Sequence, residues 1–239
     1  MRNWILSFAS IFLYTVATLA APSAQEILLK SKQASGGEAW NAIHTTHATL
    51  TLKTSGLNGN LEIWEDNLTG QSLVRYRMGP ATGAEGFDGR TVWTQDASGQ
   101  STVDSGGEAV QSAANEAYRR THAYWFPERW PAEVEYAGEE LDHQQNFYVL
   151  RITPKKGRLF SLWINAETLL LDRTVEKNET DIKTSYFSDY REVNGVKIPF
   201  AERTISGDSE QDQFVTMKKI EFNQPIKDVI FRMNARPTR

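Results

Sequence analysis

Residues 147–200 constrain the fold of this chain more than any other segment. They form short runs in which apolar and polar side chains alternate, interrupted by turn-forming residues at 154–157 and 165–168. Alternation with a period of two is typical of β-strands that bury one face. Asn194-Gly195 predicts a tight hairpin turn, because both central residues of a type I′ turn need a positive φ. The segment therefore predicts an antiparallel meander of strands.

One face of a strand in this meander is wholly apolar. Phe160, Leu162 and Ile164 share that face, whereas Ser161 and Trp163 point to the other side. A strongly apolar sheet face has to be covered by a second sheet, a helix or a ligand. Phe160, Leu162 and Ile164 are therefore the candidate floor of an apolar groove.

The whole chain reads as one large, mainly β domain. Two helices are predicted, at 25–34 and at about 108–122, and the apolar face of the second is mostly alanine. The remaining runs give about ten or eleven strands, which one curved antiparallel sheet can accommodate. Turns are expected at Asn58-Gly59 and at the hairpin of residues 86–90.

The first residues form a targeting segment. Arg2 precedes an uncharged run rich in Ile, Leu, Phe and Ala, and small residues follow that run. This order predicts a secretory signal peptide at 1–24, cut between Ala20 and Ala24, with the mature domain at 25–239. An uncleaved anchor is the alternative, because the apolar run is nearly long enough to span a bilayer. Cleavage predicts a soluble periplasmic or secreted protein.

Composition argues against several function classes. The chain has no cysteine, so we expect neither a disulfide nor a lipid anchor on an N-terminal cysteine. The net charge of −4 and the dispersed Lys and Arg residues argue against nucleic acid as a partner. The four histidines are expected on the surface, because no pattern of metal-ligand spacing joins them. We expect no metal and no cofactor.

Asp104-Ser105-Gly106 matches the core motif of aspartic peptidases. That chemistry needs two carboxylates that share one proton, and the flanking residues of this motif lead into a predicted helix instead. A structural role at the start of the helix explains the motif more simply. We therefore predict no catalytic residues and a protein that is not an enzyme.

An aromatic loop follows the second predicted helix. Trp125, Phe126 and Trp130 lie between or beside prolines, where a strand is not expected. Most of the seven Trp residues of the chain are expected in the core. These three side chains either belong to that core or form the rim of a ligand cavity.

Three segments resemble one known family. They are Gly36-Gly37-x-x-Trp40-x-x-Ile43, Leu162-Trp163-Ile164-Asn165-x-x-Thr168, and the stretch 187–199 that ends in Val196-x-Ile198-Pro199. Together they resemble the LolA/LolB-like superfamily of periplasmic lipoprotein-sorting proteins over nearly the whole mature chain. The resemblance implies a half-open, curved antiparallel β-barrel with the two helices against its concave face.

The same resemblance implies the function. Members of the superfamily carry lipoproteins or other amphiphiles through the periplasm, and the missing cysteine points to the soluble kind. We expect a monomeric, non-catalytic carrier that binds a lipid or an acylated protein and meets a membrane-associated donor and acceptor transiently. The true lipoprotein chaperones rely on an arginine in the cavity, for which Arg75 and Arg77 are the candidates here.

A second function stays open at this stage. A similar domain precedes the peptidase domain in some bacterial retropepsin-like proteins, where the opening and the Gly-Phe-Asp-Gly-Arg segment look alike. The chain is then an accessory or binding domain associated with a periplasmic aspartic peptidase. Coding sequence beyond Arg239 discriminates the two functions.

Overall fold

The computed structural model of the chain describes residues 21–177, 181–207 and 209–233. The predicted signal peptide lies almost wholly outside the described residues. The helices of the described part are α1 (Ala24–Ala34) and α2 (Gly107–Arg120), with the 3₁₀ helices η1 (Gly37–Ala42), η2 (Ala123–Trp125), η3 (Ser209–Gln211) and η4 (Asp228–Phe231). Its strands are β1 (Thr45–Thr54), β2 (Leu57–Asp66), β3 (Ser72–Met78), β4 (Ala81–Phe87), β5 (Val92–Gln95), β6 (Ser101–Asp104), β7 (Ala132–Asp142), β8 (Gln145–Pro154), β9 (Phe160–Asn165), β10 (Leu171–Lys177), β11 (Ile182–Val193), β12 (Val196–Ser206) and β13 (Gln213–Phe222).

All of these strands join one antiparallel sheet. Its order is β6-β5-β4-β3-β2-β1-β13-β12-β11-β10-β9-β8-β7, so two meanders meet where β1 pairs with β13. Within the described residues the sheet keeps two edges, β6 and β7, and it is curved but not closed. The predicted fold class, a half-open, curved antiparallel β-barrel with helices, is confirmed.

Local sequence explains how α1 begins and where it stops. Ser23 caps the helix, and the Glu26 carboxylate accepts a hydrogen bond from the Ser23 backbone N–H at 2.8 Å. The chain leaves the helix through Gly36, which has a φ of 130°. A Cβ at Gly36 would lie 2.5 Å from the Gly195 carbonyl oxygen, so only glycine lets α1 sit this close to the β11–β12 hairpin.

The main core lies between the helices and one half of the sheet. Phe160, Leu162 and Ile164 are 1%, 0% and 1% exposed, so the face predicted to be apolar is fully covered. Buried residues packed in the same cluster include Ile27, Leu28, Trp40, Tyr118, Tyr124, Trp125, Leu150, Ile152, Val196 and Ile198.

A second, smaller core lies on the opposite face of the other half of the sheet. Leu73 and Trp93 pack there against Phe231 of η4, and the Trp93 indole N–H donates to the Phe231 carbonyl at 2.8 Å. The C-terminal part of the described chain therefore covers the outer face of β3–β5, whereas the main helices lie on the inner face.

The number of strands and one turn differ from the prediction. The described residues form thirteen strands, where about ten or eleven were expected, partly because Gly83 and Gly86 hide the β character of β4. A Cβ at Gly86 would lie 2.3 Å from the Trp93 ring, so the glycine makes room for the indole that lies across it. The β1–β2 turn falls at Ser55-Gly56, both with positive φ, and Asn58-Gly59 lies within β2.

Replacing Leu162 by Ala tests the covered face. Because the side chain is fully buried, the substitution leaves a cavity and should lower the free energy of unfolding by about 2–5 kcal/mol. Leu159→Ala is the matched control: Leu159 is 52% exposed, and its loss should change stability by less than about 0.5 kcal/mol. Urea denaturation measures both, and equal effects would contradict the assigned orientation of β9.

Candidate functional site

The concave face of the sheet forms a trough that the helices cover in part. Directly paired residues of an antiparallel sheet share a face, so the register shows which side chains point into the trough. Leu162 pairs with Leu150 and Thr174, and Thr174 pairs with Ser185. The trough wall therefore changes from apolar on β8 and β9 to polar on β10 and β11.

All six residues predicted for the site lie in one cluster at the covered end of the trough. Phe160, Leu162 and Ile164 form its floor beneath α1, η1 and η2. Trp125 is 9% exposed, and Phe126 and Trp130 are half-buried against the same core. The predicted rim is thus part of a cover that lies on the predicted floor.

Aromatic rings hold this cover together. The His122 ring stacks on the Trp125 indole at 4.8 Å between centroids, and the Trp40 indole lies 4.4 Å from His122 and 5.1 Å from Trp125. This enclosure removes water from the imidazole and lowers the pKa of His122 to about 4, although its hydrogen bond with the Arg120 backbone opposes the shift. His122 is therefore neutral at pH 7, and the expectation of a surface histidine is wrong for this residue.

A small cavity of about 10 Å³ lies where the cover meets the sheet. Its lining residues are Ser31, Ser35, His122, Tyr124, Trp125, Leu170, Leu171, Tyr190 and Lys197. The Tyr190 hydroxyl donates to the Leu171 carbonyl at 2.6 Å. The Tyr124 hydroxyl and the Trp125 indole N–H are both buried and have no hydrogen-bond partner among the described residues. The sequence alone does not indicate that the donors of these two side chains lack partners.

Ion pairs fasten α2 across the trough. On one side, the Arg119 guanidinium lies 2.5 Å from the Glu176 carboxylate, which also accepts from the Asn115 amide at 3.0 Å. On the other side, the Arg120 Nε lies 2.7 Å from the Glu65 carboxylate. Burial raises the pKa of Glu65, and the neighbouring Arg120 opposes that shift.

Glu116 joins the two arginines of α2. Burial by itself would raise the pKa of Glu116, but Arg119 and Arg120 hold it well below its usual range. The helix therefore carries ionised groups on the side that faces the sheet. Small side chains of its apolar face pack against Phe87 and Val92, and Tyr118 packs in the main core. Ion pairs and the buried Tyr118 ring together hold α2 in place.

The trough keeps an apolar surface that is only half-buried. Residues on the concave face of β1, β2, β3 and β13 form this open stripe: Leu52, Leu61, Ile63, Val74, Tyr76, Val215 and Met217. The sequence shows period-two alternation in these strands, but no feature of it distinguishes half-buried from fully buried positions.

The two candidate arginines lie on the wrong side of the sheet for a cavity. Arg75 pairs with Glu62 across β2 and β3, and its guanidinium lies 5.0 Å from the Trp64 ring on the convex face. Arg77 points the same way, because it lies two residues further along β3. Neither residue is a cavity arginine, whereas Arg119 and Arg120 of α2 face the trough.

The peptidase-like motif lies at the start of α2, but Gly106 is the N-cap and neither Asp104 nor Ser105 caps the helix as the motif's position suggested. Asp104 is exposed, and its carboxylate accepts from the Gly106 N–H at 2.7 Å just before α2 begins. Within the described ranges, no group of three or more His, Cys, Asp or Glu side chains is placed to hold a metal ion.

Known proteins resemble the chain chiefly in structure. A family model described as that of an uncharacterized protein matches residues 128–235, and no curated protein sequence matches the chain. A LolA superfamily protein from Nitrosomonas europaea superposes with a TM-score of 0.61 at 15% identity, over 89% of this chain and 98% of that one.

Two further solved structures share the architecture. A DUF1329 family protein from Desulfovibrio piger has a TM-score of 0.60 at 15% identity, over 89% of this chain and 97% of that one. A putative outer membrane lipoprotein-sorting protein domain from Vibrio parahaemolyticus has a TM-score of 0.58 at 11% identity, over 88% and 96%. The chain therefore has the fold of the LolA superfamily, as the sequence resemblance implied. Among the helices described, none has the length and apolar character needed to cross a membrane.

Arg119→Met tests whether ion pairs fasten α2. The variant leaves the Glu176 carboxylate, which is 7% exposed, without its closest cation, and should lower the free energy of unfolding by about 3–5 kcal/mol. Adding Glu176→Gln removes the stranded charge and should recover most of the loss. Arg151→Met, at a pair in which Arg151 is 54% exposed, is the control and should cost less than about 1 kcal/mol in urea denaturation.

The lowered pKa of His122 predicts a pH dependence of stability. As the pH falls below 6.5, His122 becomes protonated in the unfolded chain, whereas in the folded chain it stays neutral down to about pH 4. Stability from this residue is present above pH 6.5 and is lost as the pH falls towards 4, by at most about 3 kcal/mol.

His122→Asn should flatten the stability profile between pH 6.5 and 4, because Asn does not titrate and tolerates the φ of 51°. His143→Asn is a matched control, since His143 has a φ of 45° and its side chain is 95% exposed. Urea denaturation across this range measures both variants. An unchanged slope in His122→Asn would contradict the enclosure of the ring.

Proposed function

We propose that the chain is a soluble periplasmic carrier that binds the acyl or otherwise apolar part of a lipoprotein or other amphiphile and performs no catalysis of its own. The observation that carries this proposal is a curved sheet whose apolar concave face is half covered by helices and half open. A closed globular core has no need for an open stripe of this kind. The Vibrio parahaemolyticus structure, described as a putative lipoprotein-sorting domain, supports the same function.

The proposed binding residues are those of the covered end. Phe160, Leu162 and Ile164 form the floor, and Trp125, Phe126 and Trp130 form the rim. Because the rim lies on the floor in this structure, we propose that α1 and η2 lift when an acyl chain enters. An entering acyl chain would first contact the open stripe and would then be held against the covered floor.

The cover is closed at a cost that favours opening. The Tyr124 hydroxyl and the indole N–H groups of Trp125 and Trp130 are buried without partners among the described residues. Each such group costs about 1–3 kcal/mol relative to a hydrogen-bonded one. Lifting the cover would let water bond to these donors, and that gain would offset part of the free energy lost by exposing apolar surface. The closed state is therefore less stable than its buried apolar area suggests.

Energetics also limit how the carrier holds its ligand. Burying an acyl chain contributes ~0.8 kcal/mol per CH₂, or about 12 kcal/mol for a chain of ~16 carbons. Two or three chains buried fully would exceed the ceiling of about 20 kcal/mol for non-covalent binding. A carrier has to release its ligand, so partial burial in a half-open trough suits this function better than a closed barrel.

The proposed periplasmic location depends on the signal peptide, which we propose is cleaved between Ala20 and Ala24. Cleavage upstream of Ser23 within that range would retain the capping box between Ser23 and Glu26 that begins α1. The mature protein would then be a single half-barrel domain that works as a monomer. It would receive its ligand from one membrane-associated partner and pass it to another.

A reversible lock tests whether the cover has to lift. The Lys197 N–H donates to the Ser35 carbonyl at 2.8 Å, so these two residues join the end of α1 to β12. The chain has no cysteine of its own, so Ser35→Cys with Lys197→Cys introduces the only two thiols, and dilute protein favours the intramolecular disulfide between them. The oxidised double variant should lose uptake of a fluorescent fatty-acid probe, and reduction should restore it.

The two single cysteine variants are the controls, and their uptake of the probe should not change between oxidising and reducing conditions. Uptake that persists in the oxidised double variant would contradict opening of the cover. Wild-type protein that binds no probe, and that shows no co-purified lipid by native mass spectrometry, would contradict the carrier function itself.

A further inference from the structure

The cavity between α1, η2 and the sheet is lined by hydrogen-bond donors. Tyr124 is 4% exposed and Trp125 is 9% exposed, and neither the hydroxyl nor the indole N–H has a partner among the described residues. Burial raises the pKa of Tyr124 well above its usual value, so its hydroxyl keeps its proton at neutral pH. Two donors without acceptors thus border the same small space.

The rest of the lining favours an electron-rich guest. Ser31 supplies a hydroxyl, whereas the Ser35 hydroxyl donates to the Lys197 carbonyl at 3.2 Å and the Lys197 side chain is exposed. No carboxylate side chain is among the described residues that line the cavity. Its volume of about 10 Å³ is close to the minimum for one water-sized atom, so it takes a single oxygen and not a bulky group.

The cavity adjoins the proposed acyl floor. Leu171 lines the cavity and pairs with Ile164 of β9, and Ile164 shares its face with Leu162 and Phe160. At about 3.3 Å per residue, the floor runs on for about 13 Å from Ile164 to Phe160. A head group in the cavity and a tail along β9 would therefore form one continuous site.

We infer that this cavity binds the acceptor oxygen at the head of an acyl chain, the carboxylate of a fatty acid or the carbonyl of an acyl ester, through the Tyr124 hydroxyl and the Trp125 indole N–H. The inference rests on the proposed carrier function and specifies its ligand class. It makes the carrier selective for acyl chains over alkyl chains that end in an amine. A head-group amine would bring further donors to a site that already lacks acceptors.

Competition against a fluorescent fatty-acid probe tests the inference. Palmitic acid and methyl palmitate should displace the probe from the wild-type protein well below the concentration that hexadecylamine needs. The acid and the ester distinguish the two sources of the oxygen, because only the acid carries a negative charge at neutral pH. Equal competition by all three compounds would overturn the inference.

Tyr124→Phe removes only the unpartnered hydroxyl. The variant should bind the acid and the ester up to about tenfold more weakly, which corresponds to about 1.4 kcal/mol for one lost hydrogen bond. Its affinity for hexadecylamine and its stability to urea should not fall, because the hydroxyl has no partner in the folded protein. Tyr118→Phe is the matched control, since Tyr118 is 3% exposed in the same core but does not line the cavity.

Unchanged affinity of Tyr124→Phe for all three compounds would overturn the inference and leave the carrier function intact; the cavity would then hold no more than a water molecule. Failure of the wild-type protein to bind any of the compounds would overturn both. The two failures are therefore distinguishable in one set of titrations.

Discussion

The apolar concave face of an unclosed sheet is the constraint on which the rest of the structure depends. A sheet of thirteen strands that ends in two edges cannot bury that face against itself. Helices from both ends of the first half of the chain have to supply the cover, which α1 and η2 do over Phe160, Leu162 and Ile164. Where no such cover lies over the described strands, the apolar side chains stay half-buried.

The two parts of the cover are held by different forces. Aromatic packing holds the end around Trp125, whereas ion pairs from Arg119 and Arg120 hold α2. Buried ion pairs contribute little net stability, because desolvation offsets their attraction, but removing one partner is costly. The ion pairs therefore define the position of α2, and Tyr118 adds apolar contact with the main core.

Period-two alternation predicted the meander and the buried face of β9, because a strand that buries one side repeats every second residue. The pattern could not predict β4, because Gly83 and Gly86 have low strand propensity. These glycines make room for aromatic rings that contact them in the tertiary structure. It also misplaced the β1–β2 turn, because Ser55-Gly56 adopts positive φ without the favoured Asn-Gly pair. Burial of His122 depends on two Trp rings far apart in the sequence, which no local pattern encodes.

Candidate site residues were predictable as apolar positions but not as a cover resting on a floor. Whether a Trp lines a cavity or fills it depends on the distance between η2 and β9, which only the tertiary fold determines. In the proposed carrier, the aromatic side chains would occupy the space that the ligand needs and would act as an internal substitute for it. The substitute is imperfect, since it leaves the Tyr124 and Trp125 donors unpartnered. An acyl ligand with an acceptor oxygen would satisfy those donors. This added hydrogen bonding would favour replacement of the aromatic side chains by the ligand.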